Sequence, residues 1–175
     1  TTQTANGEVL PEATSGVDID ERIINAYFGF NKQIGKNISI DASVAAENFH
    51  TPQWNEWRVY PTLNAIWNVN DHHLLNLSFS SDASYPSYWS TMNSIHYSST
   101  YSEIWGNPAL KPTSNYNLSL MWQLNRRYTF VAFADFKPNF SAQLPYQPSD
   151  RFAVIMKEVN FNHRNTYGIQ ASAQF

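Results

Sequence analysis

Asn37-Ile38-Ser39-Ile40-Asp41-Ala42-Ser43-Val44-Ala45-Ala46 puts Ile38, Ile40, Ala42, Val44 and Ala46 on one parity and Asn37, Ser39, Asp41 and Ser43 on the other. Successive side chains of a β-strand point to opposite faces, so the stretch reads as a strand with one apolar and one polar side. The same pattern extends outward in both directions. Upstream, Ile24, Ala26, Phe28 and Phe30 alternate with Asn25, Tyr27, Gly29 and Asn31, ahead of a turn at 32–36. Downstream, Trp57, Val59, Leu63, Ala65, Trp67 and Val69 oppose Arg58, Tyr60, Thr62, Asn64 and Asn68, and a turn at Asn70-Asp71 leads into Leu75, Leu77 and Phe79. Pro61 lacks a ladder donor, so regular pairing is expected to begin after it.

The second half repeats the design. Tyr116, Leu118, Leu120, Trp122 and Leu124 face away from Asn117, Ser119 and Gln123, and a short turn at Asn125-Arg126-Arg127 leads to Tyr128, Phe130, Ala132, Ala134 and Phe136. Residues 151–160 read as a seventh strand, with 152–156 apolar on both faces. Tyr167, Ile169, Ala171, Ala173 and Phe175 form an eighth. Between these lie long connections at about 47–56, 80–114 and 137–150; the second has no sustained periodicity and the third holds Pro138, Pro145 and Pro148. The expectation is an all-β, antiparallel up-and-down sheet of about eight strands, each of roughly nine to thirteen residues, close to what a tilted strand needs to cross a bilayer. Short and long connections alternate, which places short turns on one rim and long loops on the other, as in outer-membrane barrels. Aromatics sit toward the strand ends of the apolar face, where rings meet headgroups. The opposite face is small and polar, a wet interior. A soluble β-sandwich also alternates, so that fold stays open at this point.

Composition narrows the function. The 175 residues carry a net charge of -3, which leaves no basic footprint for nucleic acid. Cysteine is absent, so there is no disulfide, thiolate metal site or Cys nucleophile. No apolar run exceeds five residues, which excludes a membrane-spanning helix.

Two motifs carry a family resemblance. Ser84-Tyr85-Pro86-Ser87-Tyr88-Trp89, followed within the same loop by Gly106-Asn107-Pro108-Ala109-Leu110-Lys111-Pro112, resembles the outer-membrane β-barrel region of TonB-dependent-receptor-like proteins of the Bacteroidetes type. Tyr60-Pro61-Thr62-Leu63 looks like the aromatic-Pro-Ser-Leu that opens a barrel strand in that family. The chain departs from the family at Tyr85, where Arg is frequent, and at Thr113, where Glu is. The resemblance spans about residues 21–175 and implies part of a transmembrane β-barrel: one partial barrel region over 1–175, with no plug domain, from an outer-membrane receptor or transporter for nutrient uptake. It implies as partners the outer-membrane lipid, the rest of its own barrel and plug, and an energy-coupling protein acting through the parent chain. Such barrels have about 22 strands, so the chain reads as a fragment of a longer protein bearing a secretory signal and plug upstream. The alternatives are a soluble carbohydrate-binding β-sandwich and a self-contained eight-strand outer-membrane barrel.

No enzyme is expected. His50, His96, His163 and the pair His72-His73 have no metal-ligand spacing, and there is no Gly-x-Ser-x-Gly, so neither catalytic nor metal residues nor a cofactor are assigned. A ligand is the better case. The loop at 80–114 concentrates Tyr88, Trp89, His96, Tyr97, Tyr101 and Trp105, together with Tyr85, Asn93 and Glu103, a set suited to stacking on sugar rings or flat chelates and bonding their rims. Packing of the same rings onto the barrel rim is the plainer alternative. Gly106 and Pro108 read as turn-makers, Gly through positive φ. Asp41, Arg58 and Asp135 would line the interior of a closed barrel, and Arg126 and Arg127 a solvated periplasmic turn.

Overall fold

The structure, a computed structural model, describes residues 4–5, 8–9 and 20–174. Its elements are, in order, β1 (Thr4–Ala5), β2 (Glu8–Val9), β3 (Arg22–Ile34), β4 (Ile38–His50), β5 (Asn55–Asn70), β6 (His73–Ser84), α1 (Tyr88–Thr91), β7 (Ile95–Ser99), β8 (Ser102–Trp105), β9 (Thr113–Leu124), β10 (Tyr128–Pro138), β11 (Ser141–Tyr146), β12 (Val154–Asn160) and β13 (His163–Ala173). The chain divides into two units, Thr1–Ala26 with Ala46–Arg58, and Tyr27–Ala45 with Val59–Phe175. Among the described residues no helix is long and apolar enough to cross a membrane.

In the smaller unit β1 pairs antiparallel with β2. The loop expected over 47–56 narrows to 51–54, because Thr51 closes it: its Oγ1 accepts from the amides of Gln53 and Trp54, and its own amide donates to the Trp54 carbonyl at 2.7 Å. Asn48 Nδ2 reaches Asn55 Oδ1 across this turn, and the Phe49 and Trp54 rings pack at 6.4 Å. Arg58 is held on Glu56 at 2.7 Å.

The main sheet is open and runs in the order β13-β10-β9-β6-β5-β4-β3, with most of its residues in the larger unit. The ladders that join β5, β6, β9, β10 and β13 are antiparallel, with Leu77 level with Leu120 and Leu120 level with Ala132, and Ala132 in turn with Ile169. The rows on the other face run Ser78, Ser119, Phe133, Gly168. One-residue alternation therefore carries through β6, β9, β10 and β13, and it sets an apolar row on one face against a row of small and polar residues, Phe133 excepted, on the other. The β5/β6 ladder starts at Leu63, just past Pro61, as the missing donor requires, while the Pro61 carbonyl accepts from Ser81 Oγ at 2.8 Å. On β9 the apolar Leu118, Leu120 and Trp122 are exposed, while Asn117, Ser119 and Gln123 are half-buried.

The polar face is hydrogen-bonded across strands. Asn31 donates to Asp41, Ser43 pairs with Thr62, and Asn115 donates to both Asp82 and Ser84. Gly168 is required there, since a Cβ would run into the Phe133 ring. The apolar face has an aromatic cluster at each end: Trp122 stacks on Phe130 at 5.3 Å and donates to His73 Nδ1, and Phe136 meets Tyr167 edge-on at 5.7 Å. The eight positions from the Tyr128 row to the Phe136 row span roughly 27 Å of strand, or about 20 Å of height at barrel tilt.

Short turns at 35–37, 71–72 and 125–127 share one rim, where Asn68 N bonds Asn37 O, Asn125 N bonds His72 O and Gln174 N bonds Arg127 O. Asn125 and Arg126 both take positive φ (52° and 57°), the conformation that matches a tight hairpin to the strand twist. The segments 85–112 and 139–162 leave from the opposite rim.

Three expectations change. The main sheet has seven strands, not eight, and it is open, with β3 and β13 as its edges among the described residues. The expected seventh strand is not in it. Residues 128–146 and 154–173 form one long hairpin whose partners keep a single register, from Tyr128↔Ala173 through Pro138↔His163 to Ser141↔Asn160 and Tyr146↔Ile155. Asn139, at φ 54°, turns the ladder between β10 and β11 without shifting that register. Residues 141–146 are thus strand, not loop, and Pro145 is accommodated because β11 is an edge. Finally, the region at 80–114 is not a structureless loop: β6 runs to Ser84, and the segment holds α1, β7 and β8. An eight-strand barrel closed on itself and a sandwich both fail here. Ile169 is 85% exposed and Leu118 and Leu120 are open as well, so no second sheet covers the apolar face among the described residues.

Candidate functional site

The two long excursions meet in a second sheet, in the order β11-β12-β8-β7. Within the first, Ser87 caps α1 by accepting from the Ser90 amide at 3.2 Å, and the helix ends after one turn. β7 and β8 form a hairpin, with Ile95↔Trp105, His96↔Ile104 and Tyr97↔Glu103 as partners. β8 then lies parallel to β12, with Glu103 level with Ile155, Ile104 with Met156 and Trp105 with Lys157.

The motif 106–112 seats this body. Gly106 does not use positive φ; a Cβ there would run into the Met92 carbonyl, so glycine is demanded by close approach of two backbones. The Asn107 amide donates to the Ser90 carbonyl at 2.6 Å, its Oδ1 accepts from the Ala109 amide, and its Nδ2 donates to the Glu158 carbonyl at 2.9 Å. Leu110 is 2% exposed, the most buried large apolar side chain described. Asn160 answers from the hairpin: its Oδ1 accepts from the Lys111 amide at 2.8 Å, and its Nδ2 donates to the carbonyls of Lys111 and Asn139. The residues that carry the family resemblance are therefore structural ties between the two excursions.

Glu103 is the one buried acid of the pair of loops. It is 4% exposed, and its Oε2 accepts from Trp105 Nε1 and from Arg151 of the hairpin tip, each at 2.8 Å. A buried carboxylate needs such partners, and a guanidinium supplies charge as well as a donor. The rim role expected for Glu103 is thus excluded by its burial, and the indole N–H of Trp105 is spent on it.

The six expected ligand residues do not share one surface. Alternation on β7 and β8 sends His96 to one face and Tyr97 and Trp105 to the other. Trp89 joins His96, ring to ring at 5.8 Å, and Tyr88 meets Trp89 edge-on at 6.0 Å. His96 Nε2 lies 3.2 Å from Ser94 Oγ. Tyr101 packs edge-on against Phe152 of the hairpin at 5.5 Å. Trp89 is 60% and Tyr97 73% exposed, Tyr101 is exposed too, and Tyr88 and Trp105 are half-buried. Phe152, Arg151 and Asn160 were not singled out from the sequence, since their partners are some 50 positions away and no local pattern signals them. Among the described residues no group of His, Asp and Glu could hold a metal ion.

The chain matches the model of the outer membrane protein beta-barrel family over residues 1–175. A comparison with curated proteins gives no match. Among solved structures, the siderophore receptor PirA from Pseudomonas aeruginosa superposes with a TM-score of 0.70 at 13% identity, covering 85% of this chain and 30% of the receptor. PirA from Acinetobacter baumannii gives 0.64 at 14%, covering 97% of this chain and 28% of the receptor. A variant of the ferric enterobactin receptor PfeA from Pseudomonas aeruginosa gives 0.65 at 14%, covering 89% of this chain and 24% of the receptor. The chain thus spans less than a third of the length of these receptors, and at such identities the likeness is one of fold. An outward row of Leu77, Leu120 and Ile169, aromatic clusters at both ends and a wet opposite face are what lipid on one side and a lumen on the other demand. The chain belongs to the outer membrane protein β-barrel family, as a barrel-type segment of an outer-membrane protein.

Proposed function

We propose that these residues are one arc of a larger transmembrane barrel, a TonB-dependent-receptor-like protein of the Bacteroidetes type that takes up a nutrient too large for general porins. The arrangement of the rims carries this reading: every short turn of the larger unit lies on one side, and both long excursions leave from the other and fold into a body of their own. Seven strands are about a third of a 22-stranded transporter, in keeping with the 30% of PirA that is covered. The partners of this reading are the surrounding lipid, the rest of the barrel and its plug, and an energy-coupling protein engaged elsewhere in the parent chain. No catalytic step, metal or cofactor enters it.

The ligand surface is the face bearing Trp89, with Tyr88 and His96 beside it; Tyr97 reaches a ligand only from the other side, Tyr101 is engaged with Phe152, and Trp105 acts through Glu103. Exposed rings with an imidazole at their edge suit a flat or ring-shaped solute, a sugar or an aromatic chelate. Trp89→Ala in the parent should weaken uptake at unchanged abundance in the membrane. Equal uptake at equal abundance would return Trp89 to loop packing.

A further inference from the structure

The segment 85–112 and the hairpin 139–162 are separated in sequence, yet they are tied at four places. β8 and β12 share a parallel ladder of four residue pairs. Buried Glu103 holds Arg151. The Val154 amide donates to the Tyr101 carbonyl at 2.8 Å, beside the Tyr101 and Phe152 rings. Asn160 and Asn107 clamp the roots by reciprocal bonds. We infer that the two excursions form one cooperative body, latched by Glu103 and Arg151, so that they are ordered, released and displaced together and never one at a time.

The energetics favour this. Separation of one excursion from the other leaves the Glu103 carboxylate, with a side chain 6% exposed, without its guanidinium, and exposes the β8 and β12 edges along with it. Arg151 is 45% exposed, so the cost falls mainly on the acid. A joint displacement breaks none of these ties. It requires bending only at the roots, where both strands of the hairpin leave regular β geometry at the same level, 139–140 opposite 161–162, and only the bonds from Asn139 N to Asn162 O and from Phe161 N to Phe140 O bridge them. The Asn139 carbonyl is the pivot, since it accepts from Thr113 Oγ1 at the foot of β9 and from Asn160 Nδ2 of the body. A ligand that touches Trp89 would then be felt at residues 147–153, which do not contact it, because coupling between sites is reciprocal.

The inference about the latch needs no ligand, and its test is independent of uptake. Hydrogen exchange of the parent protein in nanodiscs is compared for wild type, Arg151→Ala and Glu103→Gln. Arg151→Ala should speed exchange of β7 and β8 as well as of its own tip by about tenfold, the factor that goes with one lost bond to a charged group. Glu103→Gln should send the effect the other way, into residues 147–153, with β9 unchanged in both variants. Faster exchange confined to 147–153 in the first variant, or to 95–105 in the second, would overturn the single body.

Discussion

Placing one arginine on each of two adjacent residues of β9 tests the assignment of faces. Leu120 lies at the middle of the strand, four positions from the Tyr116 row and four from the Leu124 row, so it falls near the centre of the apolar band. Its neighbours across the ladders are Leu77 and Ala132. Ser119 lies one residue away, on the row of Ser78 and Phe133. Leu120→Arg puts a guanidinium into lipid, which costs about 2 to 4 kcal/mol near the bilayer midplane. Loss of the leucine adds about 2 kcal/mol, since lipid covers the 45% of the residue that the sheet leaves open. Ser119→Arg keeps its hydration in the lumen and costs under about 1 kcal/mol, since the long stem can pass the Phe133 ring toward water. Strand propensity and position are nearly matched, and only facing differs. The assay is folding of the parent barrel into lipid vesicles followed by guanidinium titration, read by tryptophan fluorescence. A difference of about 3 kcal/mol or more in favour of Ser119→Arg is expected. Equal tolerance would mean that the Leu120 row is not in lipid, and greater damage from Ser119→Arg would reverse inside and outside.

Two further outcomes follow from close approaches in the fold. Gly106→Ala drives a methyl into the Met92 carbonyl, a backbone atom with no room to give, so the loop body should loosen by about 2 kcal/mol or more; protease cleavage within 85–112 should rise while barrel folding, seen as a gel-mobility shift, stays intact, and unchanged cleavage would refute the close approach. Gly168→Ala should cost about 1 kcal/mol because the Phe133 ring must leave its place, and that cost should vanish in a Phe133→Ala background. Additive effects of the two substitutions in denaturant titration would show that the ring and the glycine do not interact.

Much of the main sheet could be read from residues alone, because its signal is local. An alternating strand commits each side chain to a face whatever its partner is, so the parity of Ile38 to Ala46 or of Tyr116 to Leu124 already separates lipid side from lumen side. Short turns announce themselves too: Asn70 caps its own turn by accepting from the amides of His72 and His73, and Asn125 tolerates the left-handed conformation. What failed was register and partnership at a distance. The stretch 152–156 is apolar on both parities, with Ala153 and Ile155 buried within the loop body and Phe152 set against the Tyr101 ring, demands made by the segment 85–112 and not by lipid. Only the fold could show that β12 continues β13 in the same register.

The candidate site divides along the same line. Aromatic content in 80–114 points to a recognition surface, but five-residue and four-residue strands are too short to reveal period two, so the residues alone read as one cluster of six. Pairing of β7 with β8 sets His96 and Tyr97 on opposite faces, and burial turns Glu103 from a ligand contact into an anchor for Arg151. Alternation is written into the residues themselves, and with it the two-faced sheet and its two unlike rims. Tertiary structure alone decided which distant segments share a ladder, since a parallel pairing such as β8 with β12 leaves no mark on either strand until the backbone brings them together.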